Sequence, residues 1–393
     1  MATYIKQNQL KGLRSLFSDF FQSEKSSGIV LIGCTILSLL IANSAWGEAY
    51  HHLWETQIGP YPLEFWINDG LMAIFFLMVG LEIEREIYVG ELSSPRQAIL
   101  PIVAAMGGML VPAAVHFVFN EGTPTAAGFG IPMATDIAFA LGILSLAGKS
   151  VPLSLKIFLT ALAIIDDLGA ILVIAVFYTA ELSLINLFIA LGIFFGLSLM
   201  GKLGVRRLIF YLIPGVFMWY FLHESGVHAT ISGVLLAFAI PFGGTGADSP
   251  SYRLQHALHN PVAFGIVPLF ALANTGIKLE PAFYNSLVSL NSLGIIGGLV
   301  LGKPIGILSF CWLSVKMGWG ALPKQVNWKQ LLGAGMLAGI GFTMSIFITL
   351  LAFNEVALVN DSKIAILTAS LVAALTGLFY LRSVGSSSSS TEE

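Results

Sequence analysis

The chain has 393 residues and a net charge of −3; it is 56% hydrophobic and only 10% charged, where a soluble domain carries roughly 25% charged residues. A water-soluble fold of this length has no means of hiding so much apolar surface. The composition therefore excludes an ordinary soluble protein, there is no nucleic-acid signature, and the solvent that fits is a lipid bilayer.

A bilayer-crossing helix needs roughly 20 mostly apolar residues. Such runs recur from residue 28 to residue 381. They predict one all-α polytopic membrane transport domain over 1–385, followed by a disordered polar tail, 386–393. The N-terminus is polar and basic up to Lys25, and the first apolar run lacks a small-residue cleavage site, so that run is expected to stay as a helix and not to be a signal peptide. Twelve spans are expected, at 28–43, 65–83, 98–119, 125–147, 152–178, 183–200, 206–221, 227–242, 256–275, 290–313, 331–353 and 361–381. Between the first two, Ile58-Gly59-Pro60-Tyr61-Pro62 suits either a small external β-hairpin or a plain loop. Cys34 and Cys311 lie in apolar runs and read as small buried hydrophobes, not as a disulfide or metal pair. With the N-terminus inside, sixteen of the 19 Lys and Arg residues fall in inside segments and span ends, Lys278 and Lys363 fall outside, and Lys303 lies within a span. By the positive-inside rule both termini are then cytoplasmic.

Charges at membrane depth need a reason, since each acid there costs about 2.5–3.5 kcal/mol on insertion scales. Asp166 and Asp167 sit mid-span in Leu162-Ala163-Ile164-Ile165-Asp166-Asp167-Leu168-Gly169-Ala170. Neighbours on a helix point about 100° apart, so both can border one aqueous cavity. Two such carboxylates titrate as a unit, hold protons and yield them to a hard, oxygen-seeking cation. Proton and cation then compete for one site, which is the minimal chemistry of an antiporter. The bland alternative is a pair of neutral acids hydrogen-bonded inside the bundle. Asp136 follows Gly128, Gly130 and Pro132. Proline removes a helix hydrogen bond, which predicts a break in span four. There Asp136 would offset positive helix ends, and Thr135 offers a hydroxyl and a carbonyl to a cation; the alternative is a proline kink with a capping acid. Lys303, in Gly302-Lys303-Pro304, has an acid of span five as its natural partner. It can offset negative helix ends or carry a proton itself, or form a purely structural ion pair. The run Gly339-Ile340-Gly341-Phe342-Thr343-Met344-Ser345 predicts a second break, in span eleven, against close packing through small residues.

These motifs, with Trp66-Ile67-Asn68-Asp69, Ala134-Thr135-Asp136-Ile137-Ala138-Phe139-Ala140 and Ser225-Gly226-Val227-His228-Ala229-Thr230, closely resemble those of the NhaA-type sodium/proton antiporters of bacterial inner membranes. The likeness runs from about residue 27 to 382. It implies a twelve-helix fold of two inverted repeats with crossed, interrupted helices. Matched breaks in two halves point to a transport site, a rule for which this family is itself a standard instance. The resemblance further implies that Asp166 and Asp167 bind the ion and carry protons. On the same resemblance Thr135 would lie beside the ion, Lys303 would pair with Asp166, and Asp136 and Lys303 would compensate helix-end charge. Na+ and Li+ would be exchanged for a larger number of inward H+, so the ions are substrates and no cofactor is expected. A homodimer would form through the external hairpin. A cytoplasmic pH-responsive cluster would comprise Glu82, Arg85, Glu86, His256 and His259, or these form a solvated loop face. Glu84 replaces a usual basic residue and Gln255 a usual glutamate, which would shift or weaken the pH response.

His228 reads as a hydrogen-bonded structural histidine, with a pH sensor as the alternative. Asp69 is either a polar lining of an outer vestibule or a structural acid. An intramembrane aspartyl protease would need its two acids on different helices facing one peptide bond, and here they are adjacent. A sodium-coupled solute carrier would need a recognition cluster that is not apparent, and coupled carboxylates with broken helices suit a carrier better than a channel.

Overall fold

The computed structural model describes residues 26–389 apart from 149–150, 180–181, 244–248 and 280–282. Lys6, Lys11, Arg14, Lys25 and Lys149 of the charge pattern, and residues 390–393 of the expected tail, lie outside the described residues. Helix α1 (Ser26–Ala42) meets α2 (Gly47–Glu55) at 114°. A two-stranded hairpin follows, with β1 (Gln57–Ile58) antiparallel to β2 (Tyr61–Pro62). Gly59 adopts φ +67° at the turn, the left-handed backbone that two-residue hairpin loops require. Part of the gap 44–64 between the first two expected spans is thus the short helix α2, which carries the polar residues Glu48, His51 and His52 on one turn and exposes Leu53.

The long helices are α3 (Leu63–Tyr88), α4 (Pro95–Asn120), α6 (Leu153–Phe177), α7 (Leu184–Lys202), α10 (Pro250–Thr275), α11 (Leu290–Lys316) and α14 (Val356–Ser389). Among the described residues these seven are long and apolar enough to cross a bilayer, and the count rises to 10 if each bent pair is one span. One bent pair is α1 with α2. In the second, a 3-10 segment (Pro124–Met133) meets α5 (Ile137–Leu146) at 47°. In the third, α12 (Trp328–Ala338) meets α13 (Phe342–Ala352) at 46°. Both breaks expected from proline and glycine therefore exist. The shorter α8 (Ile209–Glu224) and α9 (Ile231–Ala239) lie between α7 and α10.

Boundaries differ from expectation where capping outweighs hydropathy. Helix α10 begins six residues before the expected span, because Ser249 accepts from Tyr252 N and Pro250 takes the first helical position. The half-span 124–133 is 3-10, not α: two prolines and two glycines in ten residues weaken the i to i−4 ladder. The α14 backbone is helical to Ser389. Cys34 is half-buried and Cys311 buried, both as free thiols.

The crossing of α4 and α11 sets the interior. A Cβ on Gly107 would collide with the Gly306 carbonyl, and one on Gly306 with the Gly107 carbonyl. Gly302 packs on Pro112, and Gly298 on Pro132 and Pro112. Small residues let the backbones touch, as in membrane helix pairs generally. Outward faces such as that of α7, with Ile185, Phe188 and Phe195, present apolar side chains to lipid.

Candidate ion-binding site

Helix α6 has no polar cap or break near its middle, so it carries Asp166 and Asp167 rigidly into the bundle. Both are buried, at 0% and 2% exposure. Lys303 begins the regular helix after a π-turn at Gly298–Gly302, and such bulges re-aim side chains at functional sites. Its Nζ lies 2.9 Å from Asp166 Oδ2 with both side chains fully buried, and it also donates to the Met133 carbonyl at the end of the 3-10 segment. The expected Lys303–Asp166 pair is formed, and Lys303 also neutralises the negative C-terminal end of a broken helix.

Asp136 serves the opposite ends. Its Oδ1 accepts from Phe139 N at 2.9 Å, capping α5. Its Oδ2 accepts from Thr343 N at 3.2 Å and from Thr343 Oγ1, capping α13. One carboxylate therefore meets two helix N-termini. The backbone closes the crossing: Asp136 N donates to Ile340 O at 2.7 Å, and Ser345 Oγ to Ile131 O at 2.7 Å. Thr135 Oγ1 lies 2.9 Å from both Asp166 Oδ2 and Ala338 O, so its single hydroxyl hydrogen is shared between an acid and the last carbonyl of α12.

At this site two carboxylate oxygens have no partner among the described residues. Asp166 Oδ1 and Asp167 Oδ1 are buried and accept no hydrogen bond. Gly108 faces this oxygen: a Cβ there would meet Ile307 Cγ1 first, at 3.0 Å, and stand in ordinary contact, 3.8 Å, with Asp166 Oδ1. Asp167 feels Asp166, Asp136, Lys303 and Glu82 electrostatically. Lys303 balances Asp166 and two helix ends balance Asp136, which leaves Asp167 as the acid whose charge must be met from outside the protein's own groups. A bare buried carboxylate is untenable; a proton or a cation resolves it.

The other candidate residues lie away from this crossing. Glu82 is buried beside Gln255, Arg85 pairs with Glu86 at 2.9 Å, His256 stacks on Tyr252, and Arg85 and His256 are the electrostatic neighbours of His259. The cluster joins α3 to α10. Glu84 is buried and accepts from Ser251 Oγ at 2.6 Å, while Gln255 serves as a neutral partner of Glu82. His228 Nε2 donates to the Tyr178 carbonyl at 2.8 Å. Asp69 lies in a π-turn of α3 (Trp66–Leu71), with the His223 ring as its electrostatic neighbour, while Asn68 pairs with Asn274 at 2.7 Å.

Thr343, Ser345 and the Met133 carbonyl carry roles that the sequence alone did not assign; the first two stood inside the glycine-rich motif, where hydroxyls beside a break are the usable signal. Lys363, read as an outer charge, is 8% exposed on α14 with Glu64 as its charged neighbour.

A family model described as Na+/H+ antiporter 1 matches residues 18–381. The chain is 60% identical over 372 residues to the Na(+)/H(+) antiporter NhaA of Flavobacterium psychrophilum, covering 95% of this chain and 97% of the relative. It is 57% identical over 373 residues to the namesake of Dechloromonas aromatica, covering 94% and 96%, and 48% identical over 378 residues to that of Salmonella arizonae, covering 92% and 97%. With buried acids at two crossed helix breaks and a match over nearly its whole length, the chain belongs to the Na+/H+ antiporter 1 family, whose members are transporters and not enzymes.

Proposed function

We propose that the protein exports Na+, and Li+, from the cytoplasm in exchange for inward H+, by alternating access at the Asp166–Asp167 site. The observation that carries this reading is the pair of orphaned carboxylate oxygens beside a Lys–Asp pair where two helices are broken. A hard cation held by Asp167, Asp166 and Thr135 displaces protons; after reorientation it leaves outward and the acids reprotonate. Asp167 supplies one exchangeable proton; an electrogenic exchange of more than one H+ per cation draws the second from Asp166 or Lys303 when their ion pair opens. The ions are substrates on this reading and no cofactor takes part.

The same reading takes the chain as twelve spans in two inverted repeats in the bacterial inner membrane, with both termini cytoplasmic. Its support is the overlap of each expected span with a helix or bent pair, the similar bends of 47° and 46°, and the Lys and Arg asymmetry. Glu82, Arg85, Glu86, His256 and His259 form the cytoplasmic pH-responsive cluster, with the Glu82–Gln255 contact binding α3 to α10. His228 holds the Tyr178 carbonyl, and Asp69 lines the outer vestibule. The hairpin β1–β2 is the surface for a homodimer.

The test is transport in proteoliposomes under an imposed pH gradient, with Na+, Li+, K+ or no cation added and internal pH followed. Dissipation by Na+ and Li+ but not K+ is expected. Absence of cation-dependent proton movement across the pH range overturns the reading.

A further inference from the structure

The 3-10 segment that delivers Met133 and Thr135 to the ion site runs for ten residues. Stretches beyond three or four residues are uncommon, because their hydrogen-bond geometry is poor, so side chains from elsewhere must hold this one. Three tie its backbone at successive points. Lys303 holds Met133 O, and Ser345 holds Ile131 O. Tyr178 holds the middle: its hydroxyl donates to Ala127 O at 2.6 Å and accepts from Gly130 N at 3.2 Å.

Tyr178 caps the outer end of α6, the helix that carries Asp166 and Asp167, and its backbone N–H closes on Ile174 O. Helix α6 therefore meets the broken half-span twice, at Tyr178 on Ala127 and Gly130, and at Asp166 on Thr135. Phe129 stacks on the Tyr178 ring, and His228 anchors the Tyr178 carbonyl from the α8–α9 turn. The fit admits no side chain at residue 130, where a Cβ would lie 2.6 Å from the Tyr178 hydroxyl and 3.3 Å from its ring.

We propose that Tyr178 is a positioning residue for cation binding: its hydroxyl sets the register of the 3-10 half-span against α6, and so places Thr135 and the Met133 carbonyl against Asp166. It touches no transported ion and carries no proton. The proposal rests on the antiporter reading above.

Tyr178→Phe keeps the ring and removes only the two hydroxyl bonds. Na+- and Li+-driven exchange in proteoliposomes should then show a KM raised about 3- to 10-fold for both ions, with the maximal rate at saturating cation within about twofold of the wild type. A merely structural tyrosine would instead lower the maximal rate or the yield at unchanged KM. Gly130→Ala should raise KM in the wild-type background, and by less on top of Tyr178→Phe, since the atom its methyl meets first is then gone. An unchanged KM in folded Tyr178→Phe overturns the proposal, as does a Gly130→Ala effect of equal size in both backgrounds. If Tyr178→Phe does not fold, a KM for Gly130→Ala equal to that of the wild type overturns it. Wild-type vesicles measured alongside separate the cases: exchange in the wild type with unmoved KM values sinks this proposal alone, whereas no exchange in the wild type sinks the antiporter reading and this one with it.

Discussion

Asp167→Asn abolishes exchange, lowering Na+-driven proton movement by at least about 100-fold, a floor set by what loss of mere outer supports does to metal sites, and leaves the protein folded. Asp167 accepts no hydrogen bond at Oδ1 and forms no ion pair within 4.0 Å among the described residues. The amide is nearly isosteric and removes a charge that faces the acids Asp166, Asp136 and Glu82 and is offset in part by Lys303. The change breaks no hydrogen bond or ion pair shown among the described residues, and a neutral amide costs the interior less than a carboxylate, so thermal stability in detergent should stay level or rise. A folded Asp167→Asn protein that exchanges Na+ for H+ at the wild-type rate removes Asp167 from the site.

Lys303 behaves in the opposite way. Lys303→Met strands Asp166, which is fully buried with Lys303 as its counter-charge, and frees the Met133 carbonyl. Removing one partner of a buried pair destabilises by about 3–5 kcal/mol, whereas replacing both is often neutral. Asp166→Asn alone leaves the ammonium unpaired and should be destabilised similarly. The double replacement should recover much of the loss, with a coupling on the order of 0.5–3 kcal/mol. Unfolding midpoints of the four proteins in one detergent measure the cycle. Additive losses would mean that Lys303 and Asp166 contribute separately and that the pair is not what holds α11 to α6. All the replaced proteins should be transport-deficient, so stability and transport separate here as they do for Asp167.

Much of the site was legible in the sequence because membranes make charge expensive. Asp136, Asp166, Asp167 and Lys303 stood out as ionisable groups in apolar runs, and Pro132 with Gly339 and Gly341 marked both breaks. What these groups touch was less legible. Nothing in the local pattern shows that Asp136 caps α5 and α13 together, since that pairing joins residues 207 positions apart. Backbone carbonyls at Met133, Ile131 and Ala338 have no sequence signature beyond the break itself. The charged group around Glu82 left open a pH-responsive cluster or a solvated loop face, because no local pattern shows that α10 packs on α3 and that Glu82 and Glu84 are buried. The α4–α11 contact had a local sign in Gly107, Gly302 and Gly306, but small residues alone do not name their partner. The ten-residue 3-10 segment was hidden for the same reason, because its stability comes from Tyr178, Ser345 and Lys303 on other helices. Helix starts shifted by six residues at α10 and five at α14, where capping and packing, not hydropathy, decide.

The central claim is that Na+ and H+ compete for the carboxylates of Asp166 and Asp167. Calorimetric titration of the purified protein with Na+, in buffers of equal pH but different ionisation heat, tests it most directly. Metal binding at deprotonated ligands releases protons and strengthens as pH rises. The account predicts that observed heats depend on the buffer, that affinity for Na+ rises with pH, and that Asp167→Asn shows neither effect. Binding of Na+ to the wild type with the same heat in every buffer and the same affinity at every pH would contradict it.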